Sequence, residues 1–298
     1  MNHNNNNNNN NDAEELLGDE AAEVKREHQQ DKSDNGGEPL PVTIQHSRLR
    51  AASVFDIIRR EGDKELVRKF HALFWSGIAA GLSIGFSVVA ESILAARLPD
   101  APWKPLVDNL GYSVGFLIVI LGRQQLFTEN TLTAVLPAMQ RGKAIWWFVL
   151  LRLWLIVLTA NVIGCALFAA YMSTSGVLGA DVHAAMIHLS EHMMQKPPHE
   201  MFLSGIVAGW LIAALVWMLP SSEGSEFIVI TLMTYLIAAG DFTHVVAGSV
   251  EALFLVFEGR LELADAALSF FLPTLLGNVT GGTVLFSVIA YAQVRDEI

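Results

Sequence analysis

Of 298 residues, 52% are hydrophobic and 16% charged, and the mean hydropathy is +0.39. A water-soluble domain would spread charge along its whole length, but here charge concentrates in the first 70 positions, which excludes an ordinary soluble fold. The net charge of −11 arises largely from the N-terminal tail and short loops and says little about partners, while the single Cys165 excludes an internal disulfide.

Residues 1–46 open with His3 inside an asparagine run and stay polar and poor in aromatics, so they read as a disordered tail without a cleavable signal. Residues 47–69 turn basic and amphipathic. Val54, Ile57, Ile58, Leu66 and Val67 alternate with Arg59, Arg60, Lys64, Arg68 and Lys69, the pattern of an interfacial helix on anionic headgroups. From Phe70 a transmembrane domain is expected over 70–294, with a cytoplasmic end at 295–298. Apolar segments run over about 70–98, 106–123, 144–172, 200–219, 225–239 and 266–293, most near the roughly 20 residues that cross hydrocarbon. Shorter pieces at about 130–140 and 245–257 continue the second and fifth segments. The pattern predicts an all-α polytopic membrane protein of six spans, two of them broken. Basic residues gather before the first span and at Arg141 and Lys143. The positive-inside rule therefore puts both termini in the cytoplasm of a plasma (bacterial inner) membrane.

The two breaks are Gly122-Arg123-Gln124-Gln125-Leu126-Phe127-Thr128-Glu129-Asn130 and Gly240-Asp241-Phe242-Thr243-His244. Lipid cannot hydrogen-bond an unwound backbone, so a break at membrane depth survives only where it lines a protein-enclosed cavity. Three matches recur in order: Ser76-Gly77 to Gly81 with Ser204-Gly205 to Gly209, Phe127-Thr128-Glu129 with Phe242-Thr243-His244, and Asn161-Val162-Ile163-Gly164 with Asn278-Val279-Thr280-Gly281, at offsets of 128, 115 and 117. They predict a 3+3 repeat, about 70–172 and 200–293, inverted because each half holds an odd number of spans.

His244 is the sharpest candidate for chemistry, because an intramembrane imidazole titrates near neutral pH and can bond an anion or exchange a proton with it. Thr128 and Thr243 offer hydroxyls that cap a half-helix or donate to a solute. Arg123 is expected to pair with Glu129 or Asp241, or to raise the local anion concentration. Arg152 is expected to face a neighbouring helix or subunit, and Glu91 the outer end of the first span. His183, His188, His192 and His199 read as solvated loop histidines, and no metal site or cofactor is expected. No Walker loop, dinucleotide fingerprint or nucleophile elbow is present, so an enzyme is not expected.

At these residues the chain resembles the formate/nitrite transporter family, most closely its YfdC-like branch, over about 70–294. Leu126-Phe127-Thr128, His244, Asn161-x-x-Gly164 and Gly277-Asn278-x-x-Gly281-Gly282 carry the likeness. The resemblance implies homopentamers of aquaporin-like protomers, each with its own pore for a small monovalent anion such as formate or nitrite. It makes His244 the central pore histidine and Thr128 the threonine facing it. Tyr112, Phe116 and Leu126 on one side, and Ile212 and Ile237 on the other, would be the apolar constrictions. Departures are Met193 where a vestibule lysine is expected, with Lys196 displaced toward it, Gly209 in place of an asparagine, and bulky Arg123 and Gln124 before Leu126. The rival readings are a neutral-solute pore, weakened by the lack of paired Asn-Pro-Ala boxes, and a structural or sensory protein with a metal- or partner-binding tail or loop.

Overall fold

The computed structural model describes residues 49–298. The tail expected over residues 1–46 lies outside them. Among the described residues, five helices are long and apolar enough to cross a membrane: α2 (Phe70–Arg97), α3 (Lys104–Leu121), α5 (Ala144–Thr174), α7 (Pro198–Met218) and α10 (Leu263–Val294). Before them lies α1 (Ala51–Leu66), and between them lie α4 (Val135–Arg141), α6 (Ala180–Met194), α8 (Glu226–Ala239) and α9 (Val245–Phe257). The fold is all-helical, with bounds within a few residues of the hydropathy segments.

Two helix pairs form the frame. α2 lies against α5 and α7 against α10, and both contacts need glycine. A Cβ on Gly81 would strike the Asn161 carbonyl and one on Gly281 the Ile206 carbonyl, so backbones meet directly, as membrane helices do where no hydrophobic force separates them from lipid. Helix α10 opens into π-helical turns over Ala266–Phe271 and Thr280–Ser287. The second of these sends the Thr283 and Ser287 hydroxyls to the Thr131 carbonyl, at 2.7 and 3.1 Å, tying α10 to the far end of the first break.

Helix α1 packs several of its apolar residues into the protein. Val54, Phe55, Ile58 and Leu66 are buried, and the first three pack with Leu132, Leu136, Ala213, Val216 and Val294. Val54, Phe55 and Ile58 therefore meet protein, while Ile57 of the same apolar pattern is exposed. Buried Asp63 binds Arg59 at 3.0 Å and Arg141 at 3.2 Å, and the Arg141 guanidinium lies over the Trp146 ring at 4.6 Å. Gly62 sits so close to the Thr133 carbonyl that a side chain there would overlap it.

The segment read as a histidine-bearing loop is helix α6, docked on the ends of its neighbours. His183 Nε2 lies 3.1 Å from Glu258 Oε1, Arg260 binds Glu191 at 2.8 Å and Arg97 binds Asp181 at 2.7 Å. No cluster among the described residues has a metal-ligating arrangement.

Candidate functional site

Helices α3 and α8 end alike. Gln124 N–H donates to the Val119 carbonyl and Arg123 N–H to Ile120. Phe242 N–H likewise donates to Ile237 and Asp241 N–H to Ala238. This is the Schellman ending, whose next residue takes the left-handed conformation usually left to glycine. Here Arg123 (φ 52°) and Asp241 (φ 53°) occupy it, at a cost of about 1–2 kcal/mol each.

Beyond each ending one buried asparagine satisfies the unwound backbone. Asn161 Nδ2 donates to the Gly77 and Gln125 carbonyls, both at 2.8 Å, while Oδ1 accepts from Phe127 N–H at 2.9 Å. Asn278 Nδ2 donates to the Gly205 and Thr243 carbonyls at 2.9 and 3.0 Å, while Oδ1 accepts from Val245 N–H at 2.8 Å. These bonds set the register between the breaks: Gly122 matches Gly240, Gln125 matches Thr243 and Phe127 matches Val245, an offset of 118. The Phe-Thr match at offset 115 is therefore three residues out of step. His244 corresponds to Leu126, so the backbone frame repeats while the side chains that meet at its centre do not.

Thr128 Oγ1 lies 2.7 Å from His244 Nε2, and both residues are buried. His244 also caps α9: its Nδ1 accepts from Ala247 N–H at 3.2 Å. An accepting Nδ1 carries no proton, so the neutral ring holds its proton on Nε2 and donates it to Thr128 Oγ1. The Thr128 hydroxyl proton then has no acceptor among the described residues and is available to a solute. Thr243, expected as the cap, instead donates to the Met201 carbonyl at 2.8 Å and meets Ser204 Oγ at 2.9 Å. Thr128 likewise makes no side-chain cap.

Apolar side chains enclose this pair. Phe116 meets the imidazole edge-to-face at 5.1 Å, and Tyr112 packs at a tilt on Phe116 with ring centroids 5.2 Å apart. Leu126, Ile212 and Ile237 are fully buried in the same cluster, and Tyr112 nearly so.

On one side a cavity of about 600 Å³ opens below Leu126, lined by the first break, α1 and the start of α8. Arg123 pairs there with Glu61 of α1 at 3.3 Å, and with neither Glu129 nor Asp241. The Glu129 carboxylate makes no hydrogen bond or ion pair among the described residues. Asp241 takes Lys196 Nζ at 2.7 Å, the same amine also reaching the Asp241 carbonyl, with His192 Nε2 at 3.7 Å. Each left-handed turn thus carries an ion pair, of opposite polarity in the two breaks. Arg152 lies exposed on α5.

Sequence reasoning missed the network that folds the first break. Asn130 donates to Gln125 Oε1 at 3.0 Å and to the Leu126 carbonyl at 3.2 Å, and Trp154 Nε1 donates to the Asn130 carbonyl at 3.1 Å.

The formate/nitrite transporter family model matches residues 52–292. The inner membrane protein YfdC of Escherichia coli is 45% identical over 259 residues, covering 86% of this chain and 84% of that protein. The formate channel FocA of Haemophilus influenzae is 29% identical over 242 residues, covering 72% and 84%. A solved pentameric formate channel with formate bound superposes with a TM-score of 0.67 at 22% identity, over 76% of this chain and 97% of that one.

Proposed function

The chain belongs to the formate/nitrite transporter family, and we propose that it passes a small monovalent weak-acid anion across a bacterial inner membrane, through a pore centred on Thr128 and His244. The observation that carries this reading is a buried Thr128–His244 pair, with one hydroxyl proton to give, inside an otherwise apolar enclosure. Related proteins are named as formate channels and nitrite transporters, which supports the same substrate class.

An apolar slit penalises a bare charge by several kcal/mol or more. The Thr128 hydroxyl offsets part of that cost by donating to the anion, and a proton travelling with the solute removes more of it. His244 contributes as a neutral ring, because a proton on Nδ1 would face Ala247 N–H, donor against donor, and open the α9 cap. Proton coupling in this scheme therefore runs with the weak acid. Tyr112, Phe116, Leu126, Ile212 and Ile237 act as the constrictions, Asn161, Asn278 and Thr243 hold the breaks, and Arg123, Glu129 and Asp241 tune the field at the two mouths.

The architecture that goes with this reading has six spans over 70–294, with α3–α4 and α8–α9 as discontinuous spans, in two inverted halves and with both termini cytoplasmic. The matched asparagine clamps and helix endings support the repeat. The likeness to a solved pentameric formate channel supports a homopentamer.

The test is uptake by proteoliposomes of a panel of small monovalent anions and neutral solutes over a range of pH. Uptake of weak-acid anions that rises as pH falls supports the reading. Uptake of neutral solutes alone overturns it.

A further inference from the structure

The cavity below Leu126 combines an exposed guanidinium with two buried acceptors that have no donor among the described residues. The Arg123 side chain is 82% exposed and engages Glu61 through Nη1 alone, so Nε and Nη2 remain open to a ligand. Glu129, on the same wall, has neither hydrogen bond nor ion pair, and the side-chain carbonyl oxygen of Gln124 is buried without a donor. Buried acceptors of this kind call for a donor, and a buried unpaired carboxyl is neutralised either by a proton or by a cation.

A bare carboxylate or nitrite ion carries acceptors only. It would serve Arg123 and leave Gln124 and Glu129 unmatched. The cavity is also unkind to a lone anion, since Glu61, Glu65, Glu129 and Glu226 share it with only Lys64 and Arg123. A lone cation would serve Glu129 and be repelled by the arginine. A molecule with a carboxylate at one end and an ammonium at the other serves all of them, and 600 Å³ is ample for it.

We propose that this cavity binds a small α-amino acid zwitterion, its carboxylate on Arg123 and its ammonium on the side-chain oxygens of Glu129 and Gln124. The occupant stands in the approach to Leu126 and therefore slows solute flux, a consequence that rests on the Leu126–His244 passage being the pore.

The test is isothermal titration calorimetry of the full-length purified protein with glycine, acetate and methylammonium as probes. Glycine is expected to bind at least about tenfold more tightly than either half-ligand, and Arg123→Gln and Glu129→Gln each to weaken it by about tenfold or more. Equal binding of acetate and glycine, equal binding of methylammonium and glycine, or no binding of glycine to the wild type overturns the proposal. A wild-type measurement guards against variants that misfold: glycine on both sides of proteoliposome membranes is expected to slow formate uptake. Normal formate uptake without glycine binding defeats this inference alone. Absent uptake of every anion on the panel defeats the pore reading, and calorimetry still decides the site.

Discussion

Replacing Asn278 with leucine removes three hydrogen bonds at a stroke. The Thr243 carbonyl, the Gly205 carbonyl and the Val245 N–H each lose a buried partner. An unsatisfied buried group costs about 1–3 kcal/mol. The Gly205 carbonyl lies within α7 and keeps its helical bond, so the sum falls toward the lower end, at about 3–6 kcal/mol. That is a large part of the roughly 5–15 kcal/mol that holds a typical domain together. At about 2–4 °C per kcal/mol for a chain of this size, the melting temperature of the purified protein should fall by roughly 6–24 °C. Because Asn161 makes the same three bonds in the other half, Asn161→Leu should fall by a similar amount. Thermal unfolding followed by tryptophan fluorescence reads both. A loss confined to one variant would refute the equivalence of the two clamps, and a shift of only a degree or so in both would refute the bond accounting.

Thr128→Val keeps shape and removes the hydroxyl, and should lower formate uptake about tenfold to hundredfold, while Thr128→Ser retains most of it; equal rates in Thr128→Val and wild type would deny the hydroxyl a role. Arg123→Gly relieves the left-handed strain and loses an exposed ion pair worth about 0–1 kcal/mol, so melting should change by no more than a few degrees; a large loss would mean that Arg123 holds more than Glu61. Gly62→Val should loosen α1 from Thr133 and speed proteolysis at its ends, and unchanged cleavage would contradict the close packing. Burial would raise the Asp56 carboxyl, but hydrogen bonds and charges from Arg59 and Arg60 outweigh it and hold the group below its ordinary value. Its small stabilisation is therefore present above about pH 4 and lost as pH falls through the depressed value. Asp56→Asn should flatten that part of the acid melting profile, and an unaltered profile would remove Asp56 from the account.

The long helices were legible because hydropathy over some twenty residues is set by lipid, whatever the fold around it. The breaks were legible for the same reason: Arg123, Gln124, Asp241 and His244 interrupt apolar runs where exposure is too costly. Their register was not legible, because two Phe-Thr pairs coincide by chance while the true correspondence lies in backbone bonds to Asn161 and Asn278. Threonine is the better N-cap by preference, which pointed to Thr243, but Met201 and Ser204 capture its hydroxyl and leave the cap to His244. The partners of α1 come from Leu132 to Val294, and nothing local in its own sequence could name them. Arg123 was expected to find an acid in its own break, and found Glu61 because α1 folds over that mouth.

The most direct test of the central claim is formate uptake into proteoliposomes by wild type and by His244→Leu, each compared with protein-free vesicles. The account predicts rapid uptake by the wild type and, in the variant, a fall toward the protein-free rate, since leucine removes both the partner of Thr128 and the cap of α9. Uptake by a folded His244→Leu protein at the wild-type rate would contradict it.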